Sequence, residues 1–357
     1  MLRRARIARL RAGMRAHRID ALVVSLLPNV RYLTGFTGSH GAAVVTASNA
    51  WFLTDSRYRT QSAREVRGFR RIITLHDLWK TIAIRKLTRG CRRVAFESES
   101  VTYAQYVSFR DAMGRALLVP SRGLVEELAA AKDWCELALI ARAVGISDRV
   151  YGEILPLLRP GVQELDMAAE ISYRHRRHGA DGDAFVPIVA SGSRGAVPHA
   201  RATARRIRSG EFVTLDFGCV VDGYCSDLTR TVAVGRIGRE QRAVYTTVLT
   251  AQREAIDAVR AGMAASELDA VARSHIAAQG YGRYFTHSLG HGIGLRIHER
   301  PRVSHLSSER LQVGSVITIE PGIYIPERCG VRIEDDVVVT SSGCTVLTRA
   351  PKELMVL

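Results

Sequence analysis

Asp216, Asp227, His291, Glu320 and Glu334 are the residues of this chain whose types and spacing could do chemistry together. Four carboxylates and one imidazole make a hard, oxygen-rich donor set. Such a set suits Mn²⁺, Co²⁺ or Fe²⁺, and less often Zn²⁺. Two divalent cations about 3.5–4 Å apart need bridging carboxylates, and five ligands suffice if two of them bridge. Asp216 and Asp227 lie in the stretch 212–234, FVTLDFGCVVDGYCSDLTRTVAV. Val213, Leu215 and Phe217 alternate with Thr214 and Asp216, the period of a half-buried strand. Asp222-Gly223 between two such runs predicts a hairpin, because the primed turns need φ > 0 at both central residues. That turn puts Asp216 opposite Thr229, with Asp227 two residues along. The two aspartates are then diagonal neighbours about 7–8 Å apart on one face. Carboxylates aimed at one place repel unless a positive charge lies between them.

The other ligand candidates sit in equally pointed contexts. HSLGHGIG places His287 and His291 four apart among glycines that let backbone pack closely. Glu320-Pro321-Gly322 ends a strand-like run at a turn, and Glu334 ends GVRIE. The neighbouring acids Asp335 and Asp336 read as surface residues.

The elements that must carry these residues fall into two regions. A chain of 357 residues is long enough for two domains. Region 1–125 opens on an amphipathic helix with Leu2, Ile7, Leu10 and Met14 at helical spacing. Strands follow at 21–25, 42–46, 51–54, 72–75 and 93–96, with helices at 58–66, 77–87 and 102–113. Strand and helix alternation indicates an α/β domain. Its His40, Asp55 and Arg57 read as strand-end and turn residues. Region 126–357 reads as α+β. Helices are expected at 135–158, 164–178, 241–260 and 265–279, the last with Ser266 as N-cap. His175 and His178 are three apart, but RHRRHG reads as a basic helix end favoured by the dipole.

Composition bounds the class. Apolar content of 46% fits a folded core, and the absence of any apolar run of about 18 residues argues against a membrane partner. The Arg-rich N-terminus has no apolar segment, which points to a cytoplasmic protein rather than a secreted one. Six cysteines without a CxxC pair suggest reduced thiols, with Cys219 and Cys225 as small buried residues. A net charge of +16 raises nucleic acid as a partner. All but four of the 51 basic residues are Arg, however, and they are spread along the chain, so no specific nucleic-acid binding is expected.

The order of motifs resembles the Xaa-Pro aminopeptidase and Xaa-Pro dipeptidase (prolidase) family. YLTGFTGSHG and FLTDSRY resemble its creatinase-type N-terminal domain. PHAR, DFG…GYCSDLTRT, HSLGHGIGL, EPGIYIP and GVRIED resemble its pita-bread catalytic domain. The resemblance implies an α/β N-terminal domain plus an α+β pita-bread catalytic domain. It implies a dinuclear metal site, usually Mn²⁺ or Co²⁺, and a homodimer or homotetramer acting on proline-containing peptides. By the same resemblance Asp216 chelates one metal, Asp227 and Glu334 bridge, and His291 and Glu320 bind the second. Glu320 also takes a proton from the nucleophilic water. His199, His287 and His298 bind substrate and handle protons, beside Tyr324 and Arg332. The complete ligand set argues against creatinase and against a metal-free binding protein. FTGS, TDSRY and PHAR lean the expectation towards an aminopeptidase, with a dipeptidase as the alternative.

Overall fold

The computed structural model describes residues 2–114 and 116–357, and its contacts divide into Met1–Ala129 and Ala130–Leu357. The first unit holds a six-stranded mixed sheet. Its strands run, in spatial order, Arg70–Ile73, Ala50–Thr54, Ala42–Thr46, Ala21–Val24, Arg93–Glu97 and Leu117–Ser121. The two central strands, ALVV and AAVVT, are buried along their whole length. This is why they read as continuous apolar runs rather than alternations. Val23, Val44, Leu53, Trp79, Phe96 and Phe109 form part of the core on this sheet.

A helix at Leu27–Thr34, absent from the sequence expectation, follows the strand Ala21–Val24. Its N-cap residue, Leu26, offers no side-chain cap. The amides of Ser25 and Leu26 instead donate to the Glu97 carboxylate, at 2.6 and 2.7 Å. The cap is supplied from a distant strand and leaves no local signal. Asp55 takes the part of a turn residue, accepting from the Arg57 amide at 2.9 Å.

In the second unit, Leu228–Val234, Glu211–Phe217 and Ile188–Ser191 form one antiparallel sheet. Glu299–Val303, Gly290–Gly292, Val316–Ile319, Asp335–Val339 and Cys344–Val346 form another. Each sheet carries a pair of helices. Trp134–Ile154 and Glu164–Arg177 bury Val150, Tyr151 and Ile171 against Val213, Leu215 and Phe217. Arg239–Ala258 and Ala265–Ala278 bury Val248, Leu268 and Ile276 against Ile317, Ile319 and Val337. The unit is therefore α+β. Among the described residues no helix is long and apolar enough to cross a membrane.

The hairpin register is the expected one. Thr229 pairs with Asp216 and Tyr224 with Val221, and Asp222 and Gly223 turn the chain at φ 45° and 74°. The N-cap of the last long helix is Ala264 rather than Ser266; the Glu267 carboxylate accepts from its amide at 3.2 Å. Asp269 is spent elsewhere, buried against Arg273 and the Leu289 amide. His175 is likewise buried, its Nδ1 2.7 Å from Asp183, while His178 meets Glu153. Each histidine has its own acid, and they share no ligand.

Asp335 and Asp336 are not surface residues: both are buried. Asp335 accepts from Arg230 at 2.7 Å, Lys352 at 2.7 Å and Gln252 at 2.8 Å. Burial raises its carboxyl, but Arg230 and Lys352 outweigh that and hold it below the usual carboxylate range. Arg230, itself 1% exposed, also donates to the carbonyls of Glu334, Ala350 and Pro351 at 2.5, 2.7 and 3.0 Å. It ties the C-terminal segment to the strand end that carries Glu334. Asp335→Ala leaves this guanidinium buried without its carboxylate and should cost roughly 3–5 kcal/mol. Urea denaturation of the chelated protein checks this, and a loss under about 1 kcal/mol would show that Arg230 is satisfied by carbonyls alone.

Candidate metal centre

The site is assembled from strands and the residues that flank them. Asp216 lies in Glu211–Phe217, and Asp227 immediately precedes Leu228–Val234. Glu320 follows Val316–Ile319, and Glu334 sits between Cys329–Arg332 and Asp335–Val339. His291 is the middle residue of Gly290–Gly292. There the register with the neighbouring strand slips, and such bulges re-aim a side chain. A Cβ at Gly290 would lie 2.0 Å from the Thr318 carbonyl oxygen. Only glycine lets the His291 strand come this close to the strand leading to Glu320. The Glu320 amide donates to Leu289 O at 2.8 Å and the Glu334 amide to Thr229 O at 3.1 Å. These bonds lock the two acids to their neighbours.

All five ligand candidates open into one cavity of about 620 Å³. Asp227, His291 and Glu334 each bring a ligand atom within 4.8 Å of the other two. The His291 Nε2 atom lies 3.6 Å from Asp227 and 3.5 Å from Glu320. Its Nδ1–H donates to the Gly292 carbonyl at 3.1 Å. That bond fixes the tautomer and leaves the Nε2 lone pair facing the acids.

Electrostatics calls for a cation. Burial drives the Asp227 and Glu334 carboxyls well above the usual range, and their carboxylate neighbours drive them further. Burial pushes Glu320 up to about 8. It pulls His291 down to about 3, so the imidazole is neutral and its Nε2 is free to act as a donor to a cation rather than as a counter-ion. Asp227 Oδ1 and Glu334 Oε1 are buried without a hydrogen-bond partner. Buried acceptors of this kind are costly unless something occupies them, and a divalent cation fits both the donor set and the vacancy in hydrogen bonding. Cys219 and Cys225 do not belong to this set. Both are free and buried, and burial raises their thiols to about 11 and about 12.

Around the acids lies a second group. Arg332 is ion-paired to Asp216 and donates to the Tyr324 hydroxyl at 2.7 Å. Desolvation opposes its charge, but Tyr324, Asp216, Glu320 and Glu334 raise its pKa regardless. His287 Nδ1 faces the Ser288 carbonyl at 2.8 Å, so it carries the proton, and Nε2 accepts from the Tyr324 hydroxyl at 2.8 Å. Burial brings His287 down to about 4. It is a neutral ring with both nitrogens occupied. His199, His287, His298 and Arg332 line the cavity; Tyr324, buried behind His287 and Arg332, does not. His298 is exposed, edge-on to His291 at 4.3 Å, and partial desolvation lowers its pKa.

Arg302 escaped the sequence reading. It pairs directly with His291 across the strands Gly290–Gly292 and Glu299–Val303, and it lines the same cavity while remaining exposed. Nothing in RPRV singles it out. Only the strand register puts a guanidinium on the face that carries His291. Phe185, Ile188 and Ile297 give the cavity an apolar wall.

Comparison with known proteins identifies the family. Residues 138–341 match the model of metallopeptidase family M24, and residues 6–129 match the creatinase/prolidase N-terminal domain. An Xaa-Pro dipeptidase of Pyrococcus horikoshii is 35% identical over 94% of this chain and 95% of its own length. The solved structure of an Xaa-Pro dipeptidase from Bacillus anthracis superposes with TM-score 0.97 at 39% identity, covering 99% of this chain and all of the other. An X-Pro aminopeptidase from Thermotoga maritima gives TM-score 0.89 at 34% identity, covering 97% and 100%. The chain belongs to metallopeptidase family M24. It is a metal-dependent hydrolase with the α/β creatinase-type N-terminal domain and the α+β pita-bread catalytic domain expected from its motifs.

Divalent cations bound to these orphaned acids should stabilise the fold by mass action. At a hundredfold excess over Kd the gain is about 2.7 kcal/mol. Calorimetry of chelated protein with and without added Mn²⁺ reads it directly. An unchanged unfolding temperature would mean that the cluster holds no metal.

Proposed function

We propose that the chain is an Xaa-Pro dipeptidase that works with two divalent cations, Mn²⁺ by preference, held by Asp216, Asp227, His291, Glu320 and Glu334. The observation that carries this reading is the five-ligand cluster opening into one cavity beside the exposed Arg302 guanidinium. Two of the relatives described above are named for the dipeptidase activity, at 35% and 39% identity. The earlier leaning towards an aminopeptidase rested on FTGS, TDSRY and PHAR. PHAR lies in the second unit, and in the first unit the FTGS and TDSRY side chains are bonded locally: Asp55 pairs with Arg57 at 2.8 Å, Ser39 with Tyr58 at 2.6 Å and Thr37 with Glu65 at 2.9 Å. That local bonding carries no information about substrate length.

Cations bound here supply Lewis acidity, acidifying water and polarising a carbonyl oxygen. The chain's own groups do the rest. Glu320 accepts a proton from the water and returns it to the leaving nitrogen. His298, lining the cavity, donates to the developing oxyanion. The chain from His287 through Tyr324 and Arg332 to Asp216 holds the cavity wall in register. Phe185, Ile188 and Ile297 offer apolar surface to the prolyl ring. The scissile bond is a tertiary amide without an N–H, so a wall with no acceptor for that group loses nothing. Arg302 pairs with the free carboxylate of the proline. A longer peptide has no charge at that point.

Metal-loaded protein should hydrolyse Ala-Pro, spare Ala-Pro-Ala and lose activity on chelation. Hydrolysis of both would assign an aminopeptidase, and hydrolysis of neither, with metal bound, would end the Xaa-Pro reading. Asp227→Asn should abolish metal occupancy and activity together, measured by elemental analysis and turnover, because a neutral amide would not supply the negative charge that two cations need. Arg302→Ala should raise KM for Ala-Pro roughly 10- to 100-fold, the worth of one charge-assisted hydrogen bond, with kcat largely kept. A variant with unchanged KM would remove Arg302 from carboxylate recognition.

A further inference from the structure

We infer that Glu164 is a positioning residue that sets where His199 stands in the cavity. The inference rests on the reading of His199 as a substrate-binding side chain.

Glu164 is the first residue of the helix Glu164–Arg177, and it is fully buried. Its Oε1 accepts from the Ser191 amide at 2.9 Å and the Ser191 hydroxyl at 2.8 Å. Its Oε2 accepts from the Thr203 amide at 3.1 Å, the Thr203 hydroxyl at 2.9 Å and Arg194 Nε at 3.1 Å. Every one of these donors belongs to the segment 191–203, which carries Pro198 and His199 into the cavity. A fully buried carboxylate is retained only where its oxygens are saturated, and here one loop saturates both. The bonds fall at both ends of the loop and at Arg194 within it. The pattern is that of a brace across the base of an exposed tip.

The braced loop has a second support from the metal side. Arg332 Nη1 donates to the Pro198 carbonyl at 3.3 Å. Gly195 packs so tightly on Gly330 that a Cβ at Gly330 would lie 1.8 Å from the Gly195 oxygen. His199 itself is exposed. Its place beside the metal ligands is therefore set by the backbone on either side, which Glu164 and Arg332 hold. Displacement of a substrate-facing group by about 1 Å can cost a hundredfold in rate.

Glu164→Gln tests this, since it keeps the shape but turns one acceptor into a donor facing donors. Hydrogen exchange, metal content and the kinetics of Ala-Pro hydrolysis are measured on the full-length metal-loaded protein. The expected result has three parts. Amides in 192–203 exchange faster, metal content stays at the wild-type level, and kcat/KM falls about 10- to 100-fold. In a His199→Ala background the same substitution should cost under twofold, because the group it positions is gone. Independent, multiplying losses in the double variant would overturn the inference, as would unchanged exchange in the loop or loss of metal in Glu164→Gln. Should that variant fail to fold, Thr203→Val removes one donor and is read by the same criteria. If the wild-type protein cleaves no Xaa-Pro peptide, the proposed function fails. The exchange measurement still decides whether Glu164 braces the loop, and unchanged exchange sinks the inference on its own.

Discussion

Several acids share one buried space in this protein, and like charges at such distances cannot all ionise without a compensating cation. Asp227, Glu334 and Glu320 are driven to high pKa by burial and by neighbouring carboxylates, Asp216 among them. Arg332 adds a positive charge, but it is committed to Asp216 and to the Tyr324 hydroxyl. Among the described residues three carboxylate oxygens, Asp227 Oδ1, Glu334 Oε1 and Asp336 Oδ1, remain buried without partners. The fold therefore holds this arrangement against its own electrostatics. The scaffold must be rigid enough to present the acids before the cations arrive.

Rigidity comes from where the acids are placed. Asp216 lies within its strand and is paired on both sides, with Thr229 and with Ile188. At strand ends, single backbone bonds can anchor an acid from a different element, as Thr229 O does for Glu334 and Leu289 O for Glu320. Two sheets then contribute, each stiffened by its own pair of helices. Close approach between strands needs glycine, and Gly290 against Thr318 marks where the His291 strand meets the Glu320 strand.

Much of this was legible in the sequence because it is local. The alternation in 212–217 and the Asp-Gly turn were enough to place Asp216 opposite Thr229. The five ligand candidates were legible as an oxygen-rich set, and the motifs identified the family. What escaped was set by partners far along the chain. The helix Leu27–Thr34 takes its cap from Glu97, so its start carries no Ser, Thr, Asp or Asn signal. Ser266 looked like an N-cap, but the helix begins at Ala265 and its capping partner is Glu267. Arg302 became visible only through the register with His291.

The run Glu334-Asp335-Asp336 shows why residue type alone could not decide these cases. Three consecutive acids are buried, and each meets a different fate. Glu334 turns one oxygen to the Thr229 hydroxyl at 2.6 Å and leaves the other for the metal site. Asp335 points the opposite way and is neutralised by Arg230 and Lys352. Asp336 accepts from the Asp227 amide at 3.0 Å and so holds the chain that carries a ligand candidate. The alternation of strand faces sends Asp335 away from its two neighbours. Whether an acid becomes a ligand, an ion-pair partner or a brace is then settled by what the opposite element supplies. Local sequence can announce that carboxylates are present, but only the packing of the sheets and the C-terminal segment divides the work among them.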